Sequence, residues 1–206
     1  MNRPLIQPEY LDKTNLHICE CNEACACSSW PSSRQCTNRV AGKAPINREL
    51  SLEVVKTSKM GYGLRTNTPI EKGQYVCRYL GQYITEEICQ HKSLRDQRYM
   101  WKLQANAELM KGLSTPEKEF IQEESLLIDG QDQGNLSRFI NHHCDPNLIS
   151  AQVYLASRDF RSCEVAFYAK RNIRAHEELF IDYSYEAGHP YFKCDCGPKC
   201  VHNVQQ

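Results

Sequence analysis

The sequence has no excess charge of either sign and no long apolar run. Its 206 residues carry 25 Lys and Arg against 25 Asp and Glu. A chain without net charge lacks the long-range field that attracts nucleic acids or anionic lipids, so we expect no direct sequence-specific nucleic-acid binding. No stretch reaches the roughly 18 consecutive apolar residues of a membrane helix. The first residues also lack the apolar core of a secretion signal, so we expect a cytosolic or nuclear protein without a membrane partner.

Cysteine, by contrast, is abundant. The chain has 12 cysteines, and in a reducing compartment clustered cysteines bind metal more often than they form disulfides. Two clusters lie near the ends of the chain: Cys19, Cys21, Cys25, Cys27 and Cys36, and then Cys194, Cys196 and Cys200. Cys77, Cys89 and Cys163 stand singly in apolar surroundings and are predicted to be buried small side chains. The clusters predict zinc sites.

The number of cysteines in each cluster leaves the ligand sets open. The C-terminal trio needs a fourth ligand for tetrahedral zinc. Cys144 in the segment NHHCDPN is the first candidate, and His142, His143 and His202 are rivals. The five N-terminal thiols exceed one tetrahedral site and are too few for two independent ones. Either one zinc leaves Cys19 unused, or two zinc ions share bridging sulfurs.

The pattern of apolar residues predicts a mainly β protein with short helices. Runs rich in Val, Ile, Tyr and Phe predict strands at 51–57, 74–80, 125–129, 151–156, 164–170 and 178–185. Thr85 followed by two glutamates predicts a helix from its N-cap to about Gln104. Residues 1–47 are polar and broken by prolines, which predicts a metal-held segment rather than part of a core. Residues 105–123 are interpreted as a surface insertion.

Five segments, in this order, resemble the successive motifs of the SET-domain protein lysine methyltransferases. They are MGYGLRT, GQYVCRYLGQYIT, IDGQDQGNLSRFINHHCDPN, RNIRAHEELFIDY and CDCGPKC. The flanking cysteines resemble the pre-SET and post-SET segments of the branch that methylates lysine nine of histone H3. The resemblance implies a SET β-clip fold with a pseudoknot, with a shortened pre-SET segment at 1–47, a SET domain at 48–186 and a post-SET segment at 187–206.

The resemblance also implies the site residues. Tyr183 matches the catalytic tyrosine, and Tyr99 matches a second tyrosine of the lysine channel and cofactor pocket. The implied S-adenosylmethionine-binding residues are Met60, Gly61, Tyr62, Tyr99, Arg138, Asn141 and His142. The implied zinc ligands are Cys144, Cys194, Cys196 and Cys200, together with Cys21, Cys25, Cys27 and Cys36. Asp182 and Asn147 are expected to hold the pseudoknot by hydrogen bonds.

Several positions depart from the family pattern. The first five pre-SET cysteines are missing, which excludes a complete three-zinc cluster. Ile181 replaces the usual aromatic residue two before Tyr183. Because isoleucine has no hydroxyl to hold a water beside the amine, it predicts a product beyond monomethyl-lysine. Four positions where the branch often has acids are occupied by Arg78, Gln82, Lys102 and Gln104. Like charges disfavour a basic peptide, although Glu117, Glu119, Glu123 and Glu124 in the insertion could compensate.

The leading hypothesis is therefore a zinc-containing, S-adenosylmethionine-dependent histone-lysine N-methyltransferase that acts on an H3 tail in nuclear chromatin. The alternative within the fold is a catalytically weak SET module that binds a histone tail or scaffolds chromatin complex subunits. A zinc-stabilised interaction or nucleic-acid module is the rival from another class. Tyr183, Asn141 and His142 favour the enzyme, because a pure binding module needs no transfer site.

Overall fold

A computed structural model describes residues 5–13, 16–31, 36–93, 96–104, 114, 126–155, 163–184, 194 and 196. The strands within these residues are β1 (Leu16–Cys19), β2 (Leu52–Lys56), β3 (Tyr62–Thr66), β4 (Tyr75–Tyr79), β5 (Gln82–Thr85), β6 (Met100–Lys102), β7 (Leu126–Asp129), β8 (Asn141–His142), β9 (Leu148–Tyr154), β10 (Cys163–Ala169) and β11 (Phe180–Ile181). The α-helix α1 spans Glu86–Gln90, and 3-10 helices span Pro8–Tyr10, Ala26–Ser29, Ala41–Lys43, Asp96–Tyr99 and Leu136–Phe139. Within this part of the chain no helix is long and apolar enough to cross a membrane.

A four-stranded sheet in the order β1-β9-β10-β4 carries the core. β10 is antiparallel to both of its neighbours and is buried at six of its seven residues. A central strand covered on both faces has no polar face, and its sequence CEVAFYA is accordingly almost all apolar. The main cluster around Phe167 also contains Leu64 from β3, Val76 from β4 and Ile128 from β7. It therefore joins this sheet to the β2-β3 pair and to the β5-β7-β6 sheet.

The N-terminal segment contributes to a second hydrophobic cluster against the same sheet, so the expectation of a segment without core residues is wrong. β1 pairs in parallel with β9, with Leu16 opposite Ala151. Leu16 and Ala41 are buried in a second cluster together with Ala151 and Val153. The sequence did not indicate this strand because β1 has only four residues and its partner lies far along the chain.

The predicted long helix is also wrong beyond its first turns. Thr85 is the N-cap, as expected, and its side chain accepts a hydrogen bond from the Ile88 N–H. However, α1 ends at Gln90, and β6 lies where the helix was predicted to continue. Trp101 in β6 packs 5.5 Å from the ring of Phe167, measured between ring centroids. This burial in the core outweighs the weak helical preference of the segment.

The other predicted strands overlap observed ones, and the structure adds short ones that lack a sequence signal. The predicted strand at 178–185 is present only as β11, whereas β3, β5 and β8 were not predicted. β8 and β11 pair in parallel, with His142 opposite Ile181. This pair joins the two segments that the resemblance assigns to the pseudoknot. The threading of one segment under a loop, and the division into three segments, stay predictions.

Asn147 holds these two segments together, as expected. It is 1% exposed, its amide donates to the Glu178 carbonyl at 2.7 Å, and its side-chain oxygen accepts from the Phe180 N–H at 2.8 Å. The Asp182 carboxylate accepts from the Ser184 N–H at 2.8 Å and also lies 3.6 Å from Nδ1 of His142 in β8, so it contacts both segments. A buried amide with both ends bonded is expected to be sensitive to substitution.

Candidate active site

A cavity of about 340 Å³ opens beside Tyr183. Ile181 and Tyr183 line it from the end of β11, Ile140 from the segment before β8, and Tyr79 and Trp101 from β4 and β6. The wall mixes these aliphatic and aromatic groups with tyrosine hydroxyls and with arginine, lysine, glutamine, serine and aspartate side chains. Such a cavity suits an aliphatic side chain that ends in a polar atom.

Tyr183 is fixed by the segment that it faces. Its hydroxyl donates a hydrogen bond to the Ile140 carbonyl at 2.7 Å. Its backbone N–H donates to Nδ1 of His142 at 3.1 Å, and the two rings lie 5.5 Å apart. Because the hydroxyl proton points at Ile140, the lone pairs of the Tyr183 oxygen can accept a hydrogen bond from a bound group.

Tyr99 and Arg138, both predicted site residues, are in contact. The Arg138 guanidinium lies 4.3 Å from the centre of the Tyr99 ring, a cation–π distance. The Tyr99 carbonyl accepts from the Tyr79 hydroxyl at 2.7 Å and from the Gly130 N–H at 3.0 Å. Tyr99 is thus held through its backbone, and its ring is held by a cation.

The predicted cofactor loop lies against Asn141. Gly61 has a φ of +74°, a left-handed conformation that favours glycine. Thr57 closes the loop, because its hydroxyl accepts from the Met60 N–H at 2.9 Å and its N–H donates to the Gly61 carbonyl at 2.7 Å. Asn141 donates to the Tyr62 carbonyl at 3.1 Å, while the Tyr62 side chain is 59% exposed. The loop therefore presents backbone and an open aromatic ring next to Asn141.

Glu178 completes this contact. Its carboxylate accepts from the Asn141 amide at 3.0 Å. A side chain at Gly63 would place its Cβ 2.2 Å from the same carboxylate oxygen, so a larger residue there would displace the Glu178 carboxylate from Asn141. Phe139 lies edge-on to Tyr62 with ring centroids 6.4 Å apart. Asn141 is thereby bonded both to the loop and to the segment before β11.

One possible metal site lies directly behind Tyr183. His142, Cys144 and Cys194 place ligand atoms within 4.8 Å of one another. The two sulfurs are 3.7 Å apart, and His142 Nε2 is 3.5 Å from the Cys144 sulfur. His142 is 3% exposed, and its Nδ1 accepts from Tyr183, so Nε2 either donates to the sulfur or binds the metal itself. This donor set, which we call the C-terminal cluster, suits zinc.

The structure leaves the fourth ligand of this cluster open. Cys196 is described but does not belong to the group, and Cys200 and His202 lie outside the described residues. The rival His143 does not belong to the group either, and its Nδ1 accepts from the Asp145 N–H at 2.9 Å. The full ligand set stays a prediction.

The second possible metal site is formed by Cys21, Cys27 and Cys36, which we call the N-terminal cluster. Hydrogen bonding to Cys36, with desolvation and the nearby Cys21, raises the pKa of Cys27 to about 11. The pKa of its partner Cys36 is instead lowered, because hydrogen bonds from Cys27 and Asn38 outweigh desolvation. Bound zinc would favour the thiolate form of these cysteines. Cys25 lies outside this group and hydrogen-bonds to Asn22, and Cys19 is exposed. The isolated Cys77 and Cys163 are buried as predicted, whereas Cys89 is only half-buried.

Tyr79 and Glu178 are part of the site but were not predicted. Burial raises the pKa of Tyr79 above its usual range, so its hydroxyl remains protonated and donates to Tyr99. In the sequence Tyr79 looks like any other residue of a buried strand. Glu178 was available as the first residue of the E-L-F-I-D-Y segment, but its role depends on Asn141, which is distant along the chain.

The fold and this site together define a SET domain. Residues 61–184 match the SET domain family, so the chain belongs to that family. It is 35% identical over 190 residues to the human histone-lysine N-methyltransferase EHMT1, with 90% of this chain and 13% of the relative covered. It is 34% identical to the histone-lysine N-methyltransferase SUV39H2 of Xenopus tropicalis, with 81% and 36% covered.

Solved structures agree with this assignment. Arabidopsis thaliana SUVH6 in complex with SAM has a TM-score of 0.71 and 31% identity, with 92% of this chain and 38% of that chain covered. The Neurospora SET domain protein DIM-5, a histone lysine methyltransferase, has a TM-score of 0.67 and 27% identity, with 94% and 71% covered. These comparisons confirm the mainly β SET-like fold and the family resemblance. The chain spans only 13% of EHMT1.

Proposed function

We propose that the chain is an S-adenosylmethionine-dependent protein lysine N-methyltransferase that acts on a histone tail, with H3 as the first candidate. One observation carries the proposal: residues 140–142 contact both Tyr183 and the predicted cofactor loop. The Ile140 carbonyl and the His142 ring position Tyr183, and Asn141 in between bonds to the Met60–Tyr62 loop. A substrate side chain beside Tyr183 and a cofactor beside the loop would meet across this segment, an arrangement that suits transfer by positioning.

S-adenosylmethionine, when bound, supplies an activated methyl group on a positively charged sulfur. The loop at Met60–Tyr62, together with Arg138, Tyr99 and Asn141, would hold it. The exposed Tyr62 ring offers a stacking surface, and the left-handed Gly61 keeps the loop backbone open. His142, the remaining residue predicted to bind the cofactor, also holds the Tyr183 backbone through its Nδ1.

The target lysine must be neutral when its nitrogen is methylated. From an ordinary pKa of about 10.4 to pH 7, deprotonation costs roughly 4.6 kcal/mol. Partial removal of the amine from water inside the cavity disfavours its charged form and lowers this difference. No strong base is required for this step.

Tyr183 would orient the amine. Its oxygen can accept an N–H of the lysine, since its own proton is committed to Ile140. With one N–H held in this way, the nitrogen lone pair points away from the tyrosine and towards the incoming methyl. Tyr79 lines the same cavity, and its hydroxyl donates to the backbone carbonyl of Tyr99.

Zinc would be structural in both clusters. In the C-terminal cluster it would bind Cys194, and with it the chain beyond residue 184, to Cys144 beside Tyr183. The histone substrate and a place in nuclear chromatin are supported by relatives named as histone-lysine N-methyltransferases and by a similar structure solved with an H3(1-15) peptide. Association with further chromatin complex subunits rests on the resemblance alone.

The test is transfer of radiolabelled methyl groups from S-adenosylmethionine to core histones. Tyr183→Phe should reduce labelling of H3 by about 100-fold or more, as loss of one oriented polar group at a reaction centre does. Tyr10→Phe is the matched control, because Tyr10 is exposed and away from the cavity. Cofactor binding by titration calorimetry should persist in both variants. Binding without any labelling of histones would instead favour the non-catalytic SET module.

A further inference from the structure

A second cavity, of about 360 Å³, lies between the N-terminal segment and the start of β4. It is lined by residues between Arg39 and Glu49 and by Gln74 and Tyr75. It shares no described lining residue with the cavity beside Tyr183, so it is a separate place in the fold. A cavity of this size has room for a small polar group together with the part of a molecule that bears it.

The described side chains that line this second cavity carry more positive than negative charge. Arg39, Lys43 and Arg48 are positive, and Glu49 is the one acidic residue among them. No carboxylate in the described part of the chain forms an ion pair with any of the three cations. Cations that line one concave site attract anions into it. We call this site the basic cavity.

Two hydrogen-bond donors of residues that line the basic cavity are buried and unpaired. Gln74 is 3% exposed, and its side-chain oxygen accepts from the Glu71 N–H at 3.0 Å. This bond identifies the other end of the amide as the nitrogen. That nitrogen, Nε2, has no hydrogen-bond partner among the described residues, and neither has Nη2 of Arg39. Because buried donors are normally paired, both favour a ligand that supplies acceptor atoms.

The neutral polar groups beside these donors are already bonded. The Asn47 side chain donates to the Tyr75 carbonyl at 2.8 Å and accepts from the Glu49 N–H at 3.0 Å. The Tyr75 hydroxyl donates to the Ala44 carbonyl at 2.7 Å. Apart from the Glu49 carboxylate, the polar side chains that remain to bind a ligand are cations and N–H donors. Such groups recognise the oxygens of an anion.

We propose that the basic cavity binds a phosphate monoester or free phosphate. Guanidinium and amide N–H groups suit phosphate oxygens, and the roughly two negative charges of a phosphate monoester at neutral pH match the excess of cations in the cavity. DNA instead presents rows of singly charged phosphates, whereas these cations line one cavity. The site is separate from the cavity beside Tyr183, so the inference does not depend on methyl transfer.

Arg39 has a competing explanation, because it also contacts the N-terminal cluster. Its Nε donates to the Cys21 carbonyl at 2.8 Å, and its charge would offset that of metal-bound thiolates. The amide of Gln74 is uncharged and offsets nothing. A variant at Gln74 therefore distinguishes a phosphate site from an arginine that serves the metal alone.

The first experiment titrates inorganic phosphate into the zinc-loaded chain by calorimetry, at a constant ionic strength of about 0.15 M. We expect saturable binding to one site. Phosphate at ten times its Kd should raise the thermal midpoint by about 3–6 °C, since it binds the folded chain only. Acetate, which carries a single charge, should bind at least about fivefold more weakly.

Gln74→Glu is the decisive variant. It keeps the size of the side chain and the oxygen that accepts from Glu71, but it replaces the unpaired donor by a carboxylate. Because like charges repel, phosphate affinity should fall at least about tenfold. The thermal midpoint without phosphate should not fall, since the new carboxylate gives the cations of the cavity an acceptor.

A second variant keeps the test valid if Gln74→Glu does not fold. Lys43 and Arg48 are exposed, so Lys43→Gln with Arg48→Gln should fold and should weaken phosphate binding by about four- to 25-fold. The matched control, Lys13→Gln with Arg174→Gln, removes two exposed cations that do not line the cavity. It should leave phosphate affinity within about twofold of the wild type, because distant exposed charges are screened.

The outcomes decide both the site and the source of its ligand. Binding by the wild type and the control, with loss in both variants, supports the proposal, and a phosphoserine peptide compared with its serine counterpart shows whether esterified phosphate enters as well. Absence of saturable phosphate binding, or unchanged affinity in Gln74→Glu, overturns it. Tighter binding of a short DNA duplex that the same variants abolish overturns it in favour of a nucleic-acid contact. Methyl transfer should be unchanged in every variant, and its absence would contradict the proposed function without altering the phosphate titration.

Discussion

The two sulfur clusters differ in what they connect. The N-terminal cluster joins residues that are near one another in sequence and is half-buried. The C-terminal cluster joins Cys144 to Cys194 across 50 residues and is mostly buried. The first is bonded to its own segment, since Asn38 and Arg39 donate to Cys21. The second is bonded to the site, since His142 touches both Cys144 and the Tyr183 backbone.

The difference implies that cysteine-bound metal has a different role in each cluster. Closing a long loop restricts the chain more than closing a short one, so metal in the C-terminal cluster has the larger effect on chain order. Because the C-terminal cluster lies next to Tyr183, loss of its metal should also lower the rate of methyl transfer. Metal in the N-terminal cluster should affect mainly the stability of the segment around β1, which pairs with β9. The predictions that follow test this separation.

The largest effect is expected from Cys144→Ser. Loss of this sulfur removes the anchor of Cys194 and the neighbour of His142, and should lower kcat/KM for histone H3 by about 10- to 100-fold. The matched variant Cys27→Ser should leave kcat/KM within about threefold while lowering the thermal midpoint. Zinc content measured by mass spectrometry should fall in both variants. Equal loss of transfer in the two would refute the separation.

His142→Gln tests the link between the cluster and the site. It removes the ring that accepts from Tyr183 and should lower transfer by about tenfold, since a buried donor is left without its partner. If His142 only donates to the sulfur, zinc content stays at the wild-type level. A matching loss of zinc would make His142 itself a ligand, one of the rivals that the sequence leaves open. His143→Gln, at the neighbouring half-buried position, is the control and should retain zinc.

The sequence predicted features that depend on neighbouring residues better than features that depend on contacts between distant segments of the chain. Thr85 as an N-cap, Asn147 as a hydrogen-bonding anchor and the strands around Phe167 follow from local pattern or motif, and the structure confirms them. The end of α1 and the presence of β1 depend on partners in β7, β9 and β10. Such contacts leave no trace in a single short segment, and they override weak local preferences.

The site shows the same limit. The motifs placed Tyr183, Asn141 and the Gly61 loop in one region, and the structure brings them together around residues 140–142. They could not indicate Tyr79, whose sequence context is that of any core strand. Nor could they show that Lys102 is paired with Glu86, because that ion pair exists only once β6 lies beside α1.

Glu20→Gln should affect stability and leave transfer unchanged. The buried Glu20 carboxylate accepts backbone hydrogen bonds from Val40, Ala41 and Gly42 at 3.0, 2.7 and 2.9 Å. An amide nitrogen placed against one of these N–H groups leaves it unsatisfied, so the free energy of unfolding should fall by about 1–3 kcal/mol. Chemical denaturation measures this, with the exposed Glu23→Gln as control. Reduced transfer by the folded variant would show that the N-terminal segment reaches the site after all.

The smallest change in rate, but a distinct change in product, is expected from Ile181→Tyr. Ile181 is buried and lines the cavity next to Tyr183, so its size and polarity set the room around the amine. The wild type should form di- or trimethyl-lysine, because no hydroxyl at this position holds a water against the nitrogen. Tyrosine introduces that hydroxyl and should shift the product towards monomethyl-lysine, with kcat for the first transfer within about threefold. Ile181→Phe, of similar size without the hydroxyl, separates bulk from hydrogen bonding.

Mass spectra of a peptide product that show only monomethyl-lysine from the wild type would contradict this account. The geometry of the cavity would then limit the product through groups other than Ile181.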